Sequence, residues 1–392
     1  MRLLTVPRRP GRARAAVVLA TAALVVGVVA PAATAADHAS SGTTPAGRAS
    51  STTTDPTKAT TSAAKRSGKK TVTLDPAQFR GVNWADPRDN FADDAVVPSG
   101  LSASDAPSTT YRKAHEILLG FRKNLGANTV RLPVNPYSVG KSSGWWADYR
   151  QVVEAATDLG FKVVLGYWEG PGAEDDGIVD DATAWWSMWK TLTSTYARSS
   201  NVYFEPMNEP HGYTEEQWTS LVTSWLGRFD AVPRDRVFVS GIGYSDHVND
   251  LCTDSALDGT YLALHDYGYW GTRTYAEWVD DLESRIGDCA GRTVLDEFGA
   301  PMTTGIDYAA SSTASDADTN NSVAFMQAAT DTVRRLHLGS VYWPGLRTGD
   351  TYSLETLTTT HGRLSLVDSN ASGVALVEWG WGRGRVAPHA VA

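Results

Sequence analysis

From about residue 71 onward, short apolar runs alternate with longer stretches in which apolar residues recur every three or four positions. This alternation is typical of βα units and a parallel sheet. Eight runs are predicted strands: 79–83, 129–133, 162–166, 202–206, 237–241, 261–265, 293–297 and 340–343. Some are apolar on both faces, as expected for strands with packed side chains inside and helices outside. We therefore predict an α/β fold of the (β/α)₈ TIM barrel type. An open doubly wound sheet is the alternative, but the sequence has no phosphate-binding glycine loop after an early strand.

The helical pattern is clearest over residues 111–124, where an apolar stripe forms and Gly126 is expected to end the helix. Six tryptophans in predicted helices are expected to pack against the barrel: Trp185, Trp186, Trp189, Trp218, Trp225 and Trp278.

The first 70 residues break with this pattern. Arginines precede an apolar run that ends near residue 30, and small residues at 33–35 form a cleavage site, so residues 1–36 are a predicted signal peptide. Residues 37–70 are rich in Ser, Thr and Ala and are predicted to be a disordered linker. No later run approaches the roughly 20 apolar residues of a membrane span. We expect a secreted, extracellular protein without a membrane partner, folded over residues 71–392.

The net charge of the chain after residue 70 indicates which classes of molecule it can bind. Residues 1–70 hold 11 of the 35 basic and 2 of the 44 acidic side chains, so the remainder carries 24 basic and 42 acidic groups, a net charge of −18. Such a surface repels nucleic acid, whose binding requires Lys and Arg against phosphate. A neutral polymer suits it better, and the 14 tryptophans fit a sugar-binding cleft as well as a core. We expect a monomer.

Two cysteines, Cys252 and Cys289, are expected to form a disulfide in an exported protein, with two buried free thiols as the alternative. No His/Cys cluster has zinc spacing, and we expect neither a metal nor a cofactor.

The candidate chemistry lies at two strand ends. The fourth run is followed by Asn208-Glu209-Pro210, and the seventh ends in Asp296-Glu297-Phe298. In a barrel the carboxyl ends of the strands meet around one mouth. Two carboxyl groups about 5 Å apart there fit retaining glycosidic cleavage, in which one group donates a proton and the other attacks the sugar. Glu205 is expected on the other face of its strand or in a neighbouring loop, and it is given no role.

Five motifs in the right order carry a family resemblance: Arg131 in the second strand, Asn208-Glu209-Pro210 after the fourth, His265-Asp266-Tyr267 at the sixth, Glu297-Phe298-Gly299 at the seventh and Trp343 in the eighth. Over about residues 71–345 the chain resembles the cellulases and mannanases of glycoside hydrolase family 5. The resemblance implies a catalytic barrel with Glu209 as acid/base and Glu297 as nucleophile.

The same resemblance implies supporting roles for the other matched residues. Asn208 would contact the sugar 2-hydroxyl, and Arg131 would keep Glu297 ionised. His265 would orient the proton network around the acid/base, Tyr267 would donate to the nucleophile, and Trp343 would form the floor beneath the cleaved sugar.

One position departs from the family pattern. Many members carry a histidine at the end of strand three, where this chain has Trp168. We expect Trp168 to form a wall of the glycone pocket, which would favour a narrower and more exo-like site. Further aromatic residues in predicted loops are candidates for sugar stacking: Trp84, Trp145, Trp146, Tyr269 and Trp270.

Three functions follow as hypotheses. The first is hydrolysis of a neutral β-glucan or β-mannan by double displacement. The second is an exo-acting β-glycosidase on short oligosaccharides, which would release end units only. The third is a noncatalytic carbohydrate-binding barrel, against which both carboxylates and their supporting residues argue.

Overall fold

The computed structural model describes residues 73–312, 317–384 and 387–389. The predicted signal peptide (1–36) and linker (37–70) lie outside these residues. Within them, no helix combines the length and the apolar character that a membrane span needs.

Eight parallel strands form the barrel, and each overlaps one predicted run. They are β1 Arg80–Trp84, β2 Thr129–Val134, β3 Lys162–Tyr167, β4 Val202–Glu205, β5 Phe238–Ser240, β6 Tyr261–Tyr267, β7 Thr293–Gly299 and β8 Gly339–Leu346. The sheet runs in the order β4-β3-β2-β1-β8-β7-β6-β5, and a parallel bridge between Phe204 and Val237 joins its two edges. The predicted (β/α)₈ barrel is confirmed.

Helices cover the outside of the barrel. They are α1 Pro107–Gly120, α2 Trp146–Asp158, α3 Ala182–Tyr196, α4 Glu215–Arg228, α5 Ile242–Ser245, α6 Tyr275–Ile286, α7 Ala317–Leu336 and α8 Ala371–Gly380. The helix predicted over 111–124 is α1 together with a π-helical turn, Phe121–Leu125. Gly126 ends it with a φ of 66°, a conformation that favours glycine.

Aromatic rings fill the lower part of the barrel interior. Phe79 lies edge-on to Tyr203, Phe238 and Tyr261, with ring centroids 4.9–5.0 Å apart. These rings pack with aliphatic side chains of neighbouring strands in a separate buried cluster. The barrel is therefore closed by packing at its lower end.

The helix layer is held to the barrel by buried tryptophans, as predicted. Five of the six are buried: Trp185, Trp189, Trp218, Trp225 and Trp278. Trp186 is half-buried against the same core. The indole N–H groups of Trp185 and Trp218 donate to backbone carbonyls of Pro206 and Ser240 at strand ends, so these two rings also fix the loops that follow.

An antiparallel hairpin between β8 and α8 was not foreseen from the sequence. Its strands are β9 Glu355–Thr360 and β10 Arg363–Asp368. Leu366 of β10 packs so closely on Gly120 of α1 that a Cβ at that glycine would lie 2.8 Å from it. The hairpin thus covers the junction of α1 with the barrel.

Cys252 and Cys289 are bonded to each other, with Cα atoms 5.8 Å apart. The disulfide prediction is confirmed, and it ties the segment after β5 to the segment before β7.

Candidate active site

Glu209 is presented by a loop whose backbone is fixed at several points. The chain leaves β4 after Glu205, and the Asn208 N–H donates to the carbonyl of Tyr167 at 2.8 Å. Trp185 Nε1 donates to the Pro206 carbonyl at 3.1 Å. Glu209 itself has a φ of 46°, a left-handed conformation that is uncommon outside glycine. The loop therefore turns Glu209 over the mouth of the barrel.

Glu297 reaches the same mouth from β7, where the strand is irregular. Leu264 of β6 pairs with Leu295, but the next residue, His265, pairs with Glu297, so Asp296 is the extra residue of a bulge. Both carboxylates consequently meet interior side chains: Glu297 contacts Arg131 and Tyr267, and Asp296 lies 3.4 Å from His265.

His265 lies between the two predicted catalytic carboxylates. Its Nδ1 is 2.7 Å from Glu209 Oε1 and 3.6 Å from Glu297 Oε2. Carboxylate oxygens of Glu209 and Glu297 and a ring nitrogen of His265 all lie within 4.8 Å of one another. The structure thus brings the three residues together as the sequence predicted.

Arg131 is the centre of the buried polar layer below. Its guanidinium makes a two-point contact with Glu205, at 2.6 Å for both Nε and Nη2. Nη1 donates to Glu297 Oε1, and Nη2 donates to Asn208 Oδ1 at 2.8 Å. The Arg131 side chain is fully buried, so these charged contacts act with little solvent screening. Arg131 therefore aligns Glu297 and Asn208 at once.

Opposing effects act on the pKa of Glu297, the candidate nucleophile. Burial raises the pKa of Glu297, to about 7, against the charges of His265 and Arg131, which lower it. The Tyr267 hydroxyl donates to Oε2 at 2.8 Å and also favours the ionised form. Glu297 thus lies deep in the barrel but keeps donors on both oxygens.

Two stacked tryptophans form a wall of the site. Trp168 and Trp343 lie with ring centroids 6.1 Å apart and an interplanar angle of 21°. The Arg131 guanidinium lies 4.3 Å from the centre of the Trp168 ring. Trp270, half-buried, and Tyr267 pack in the same small cluster. The predicted positions of Trp168, Trp343 and Trp270 near the carboxylates agree with this arrangement.

Three other aromatic predictions fail. Trp84 is fully buried in the helix-facing core against Phe121, and its Nε1 donates to the Ser99 carbonyl at 2.9 Å. The reason is strand alternation: Asn83 faces the interior, so its neighbour Trp84 faces the helices. Trp145 is buried too, and Trp146 belongs to α2 and is half-buried against its core.

Tyr269, by contrast, is 66% exposed on the loop after β6 and stacks on Tyr267 at 5.0 Å. It remains available to a sugar, as predicted.

Three residues of the site were missed. Glu205 points into the barrel, which corrects the expectation of an outward or loop position. Strand alternation cannot be counted back from Glu209 to Glu205, because β4 ends at Glu205 and Glu209 lies in the following loop. The alternation of Phe204 outward and Tyr203 inward would have given the right face. Asn83 and Asp296 were also not identified, although alternation with the outward Val82 and the inward Val294 places both on the interior face.

Within the described residues, potential metal-ligand atoms approach within 4.8 Å in three groups. Two contain His265 with site carboxylates, and Arg131 already supplies a cation beside those carboxylates. The third joins Glu169, Asp175 and His211, where the Glu169 oxygens accept from the backbone N–H groups of 177 and 178. The arrangement as described is suited to paired acid-base chemistry.

Comparisons with known proteins agree with this geometry. A model of the cellulase family, glycosyl hydrolase family 5, matches residues 95–344. No curated protein matches the chain significantly.

Solved structures share the fold at low identity. The catalytic domain of the major endoglucanase from Xanthomonas campestris pv. campestris is 16% identical over 78% of this chain and 94% of that one, with a TM-score of 0.57. An endocellulase from Pyrococcus horikoshii, determined with cellotetraose, is 15% identical over 76% and 92%, with a TM-score of 0.56. Cel5A (EG2) from Hypocrea jecorina is 19% identical over 76% and 97%, with a TM-score of 0.53.

Proposed function

Since the chain belongs to glycosyl hydrolase family 5 and is therefore a glycoside hydrolase, we propose that it cleaves a neutral β-glucan by double displacement with retention. Glu297 is the nucleophile and Glu209 the acid/base. The observation that carries the proposal is the approach of their carboxylate oxygens to within 4.8 Å.

This separation favours one stereochemical outcome. Retaining enzymes hold their two carboxyl groups about 5–5.5 Å apart, whereas inverting enzymes leave roughly 6.5–9.5 Å for a water molecule. A pair whose oxygens lie within 4.8 Å leaves no room for that water between them. Glu297 therefore attacks the anomeric carbon directly.

The surrounding residues support each step. In the first, the Glu209 proton passes to the leaving-group oxygen while Glu297 bonds to the sugar. In the second, Glu209 takes a proton from water, whose oxygen displaces Glu297. Because Asn208 Oδ1 accepts from Arg131, its amide N–H₂ is left to donate to the sugar 2-hydroxyl. The stacked Trp168 and Trp343 offer an apolar wall to a sugar ring.

The substrate class rests on composition and on the similar structures. Net negative charge outside residues 1–70 disfavours polyanionic substrates. The structural neighbours are endoglucanases and endocellulases, one bound to cellotetraose, which favours a β-1,4-glucan over a β-mannan. Hydrolysis of both polymers by the purified protein should be compared directly.

Two variants test the assigned roles. Glu297→Ala should abolish turnover of every substrate. Glu209→Ala should slow hydrolysis of a natural glucan far more than that of an aryl glycoside with a good leaving group, which needs no proton. Proton NMR of the first product should show the β-anomer. An α-anomer, or equal losses on both substrates in Glu209→Ala, would contradict the assignment.

Viscosity and product analysis with a soluble glucan separate endo from exo action. An endo enzyme rapidly lowers the viscosity of a soluble glucan and releases mixed oligomers, whereas an exo enzyme releases end units only. Exo action is the alternative to test because Trp168, stacked on Trp343 in the wall of the site, narrows the pocket for the sugar.

We also propose that the protein is exported and monomeric. Residues 1–36 have the composition of a signal peptide. N-terminal sequencing of protein collected from the culture medium would test cleavage, and light scattering would give the molar mass.

A further inference from the structure

Asp296 is a buried carboxylate for which the proposed mechanism has no use. Its side chain is fully buried, and within the described part of the chain neither oxygen has a hydrogen-bond partner by strict geometry. Its nearest cationic groups are His265 Nε2, 3.4 Å from Oδ1, and Arg131 Nε, 3.5 Å from Oδ2. A charge in that position is costly unless those two groups compensate it.

His265 is equally constrained. Its ring is fully buried, and among the described residues Nε2 has no hydrogen-bond partner and only the 3.4 Å contact with Asp296 Oδ1. Nδ1, on the opposite side of the ring, is 2.7 Å from Glu209 Oε1. The imidazole thus connects the buried Asp296 to the carboxyl group that must deliver a proton.

The two sides of the ring are linked through its tautomer. If Nε2 carries a proton that faces Asp296, neutral His265 has its lone pair on Nδ1 and accepts the O–H of Glu209. If the proton moves across, His265 becomes an imidazolium and Glu209 a carboxylate. In both arrangements Nε2 is protonated, and the pair holds one proton at a 2.7 Å contact.

We propose that Asp296 is a positioning residue that keeps Nε2 of His265 protonated, so that Nδ1 shares the catalytic proton with Glu209. The proposal rests on the acid/base role given to Glu209 above. During glycosylation the shared proton leaves for the glycosidic oxygen, and during deglycosylation the pair regains one from water. Asp296 is not consumed, and it neither touches nor bonds to the sugar.

The other charged groups around the His265 ring determine whether its proton is held more or less strongly. Glu297 Oε2 lies 3.6 Å from Nδ1, and Glu205 lies in the same buried group with an oxygen within 4.8 Å of a ring nitrogen. Arg131 is the only other cation in contact with these carboxylates among the described residues, and it is bonded to Glu205 and Glu297. Negative charge therefore surrounds His265.

This setting favours retention of the shared proton. Burial lowers the pKa of His265, but Glu297, Asp296 and Glu209 together raise it well above its usual value. Removing the charge of Asp296 therefore lowers the pKa of His265. The alkaline limb of the kcat/KM profile, where the pair loses its proton, should then move to lower pH.

Asp296→Asn tests this with little change in shape. We expect the alkaline limb on a β-glucan to move down by about one pH unit, which gives about a tenfold loss of kcat/KM at pH values well above the wild-type midpoint. An activated aryl glycoside should be affected less, because its leaving group needs no proton.

The matched control is Asp266→Asn. Asp266 is also buried, sits next to His265 on β6, and is electrostatically coupled to Arg285 and Asp281 instead. Its variant should leave the alkaline limb in place. An unchanged profile in Asp296→Asn, or the same loss at every pH and on both substrates, would overturn the proposal, because a merely structural role predicts the latter.

A measurement on the wild-type protein does not depend on whether Asp296→Asn folds normally. Imidazole ¹⁵N NMR, assigned by comparison with His265→Gln, should show Nε2 of His265 protonated throughout the active pH range. A neutral ring with a bare Nε2 would refute the proposal. If the wild-type protein hydrolyses no β-glucan, the proposed function fails, while the tautomer still decides the role of Asp296.

Discussion

Tyr267→Phe is the sharpest single-atom test of how Glu297 is held. The hydroxyl donates to Glu297 Oε2 at 2.8 Å, and the buried ring is packed by Tyr269 and Trp270 at centroid distances of 5.0 and 5.6 Å. Replacing Tyr with Phe removes one oxygen and leaves this packing in place. The change therefore isolates one hydrogen bond to the carboxylate.

The direction of the effect follows from when Glu297 carries charge. The carboxylate loses charge as it bonds to the sugar and regains it as it leaves, so a donor assists departure more than attack. A hydrogen bond to a charged group contributes about 1.5–3 kcal/mol. If roughly half of that energy is realised in the transition state for departure, kcat falls about 4- to 13-fold, since 1.36 kcal/mol is a factor of ten.

The pH dependence gives a second readout. Glu297 must be ionised to attack, so activity is lost as pH falls through the pKa of Glu297 in the free enzyme. Burial already raises that pKa above 4.5, towards about 7. Without the Tyr267 donor it should rise further, by about one pH unit or more. The acid limb of kcat/KM therefore moves to higher pH.

The assay is stopped-flow hydrolysis of a dinitrophenyl β-cellobioside. Slower departure should let the glycosyl-enzyme accumulate, which lowers KM together with kcat and produces a burst of phenolate. Tyr203→Phe, a buried tyrosine in the aromatic cluster that closes the barrel below, serves as the control and should behave like wild type. A lower kcat with unchanged KM, no burst and an unmoved acid limb would refute the reasoning.

Two further predictions concern stability. Glu355 is fully buried, and burial raises its pKa to about 8. Between pH 4.5 and 8 the folded protein therefore binds a proton that the unfolded chain does not. The free energy of unfolding falls as pH rises through that interval. Glu355→Gln should raise the free energy of unfolding by about 3 kcal/mol at pH 7, since each pH unit above 4.5 costs about 1.36 kcal/mol, and by little at pH 4. An equal gain at both pH values would contradict this. The Cys252–Cys289 bond closes 37 residues, and Cys252→Ser/Cys289→Ser should cost about 4 kcal/mol in urea unfolding, with no change of the glucan-hydrolysis pH profile.

The barrel was predictable because its signal is spread over the whole chain. Eight apolar runs separated by amphipathic stretches leave few alternatives, and an error of one or two residues at a strand end does not change the topology. The β9–β10 hairpin was less visible. β9 has one apolar residue, Leu357, and in β10 only Leu366 is buried, so neither strand gives a strong hydrophobic pattern.

Within the site, the residues that belong to a motif were found, and the residues that only the strand repeat marks were missed. Glu209 and Glu297 were identified from local motifs, which do not depend on which face of a strand a residue occupies. Trp84 was misplaced because its face was not considered. The inward direction of Glu297 depends on the bulge in β7 and that of Glu209 on its left-handed backbone, and neither feature has a residue type that marks it. Glu205 and Asp296, by contrast, follow the strand repeat set by Tyr203 and Val294.

Those two irregularities have a common electrostatic result. A regular β7 would send Glu297 to the helix layer, because Val294 faces the interior and Leu295 the helices, and a β4 continued to residue 209 would put Glu205 and Glu209 on one straight face. Instead, carboxylates at 205, 209, 296 and 297 surround two basic side chains, Arg131 and His265. Even with His265 charged, acids outnumber bases in this layer. An excess of buried negative charge binds a proton strongly, and a retaining glycosidase must hold one proton near its acid/base while its nucleophile stays ionised. The broken strand repeat is thus what gives the barrel a site able to do both.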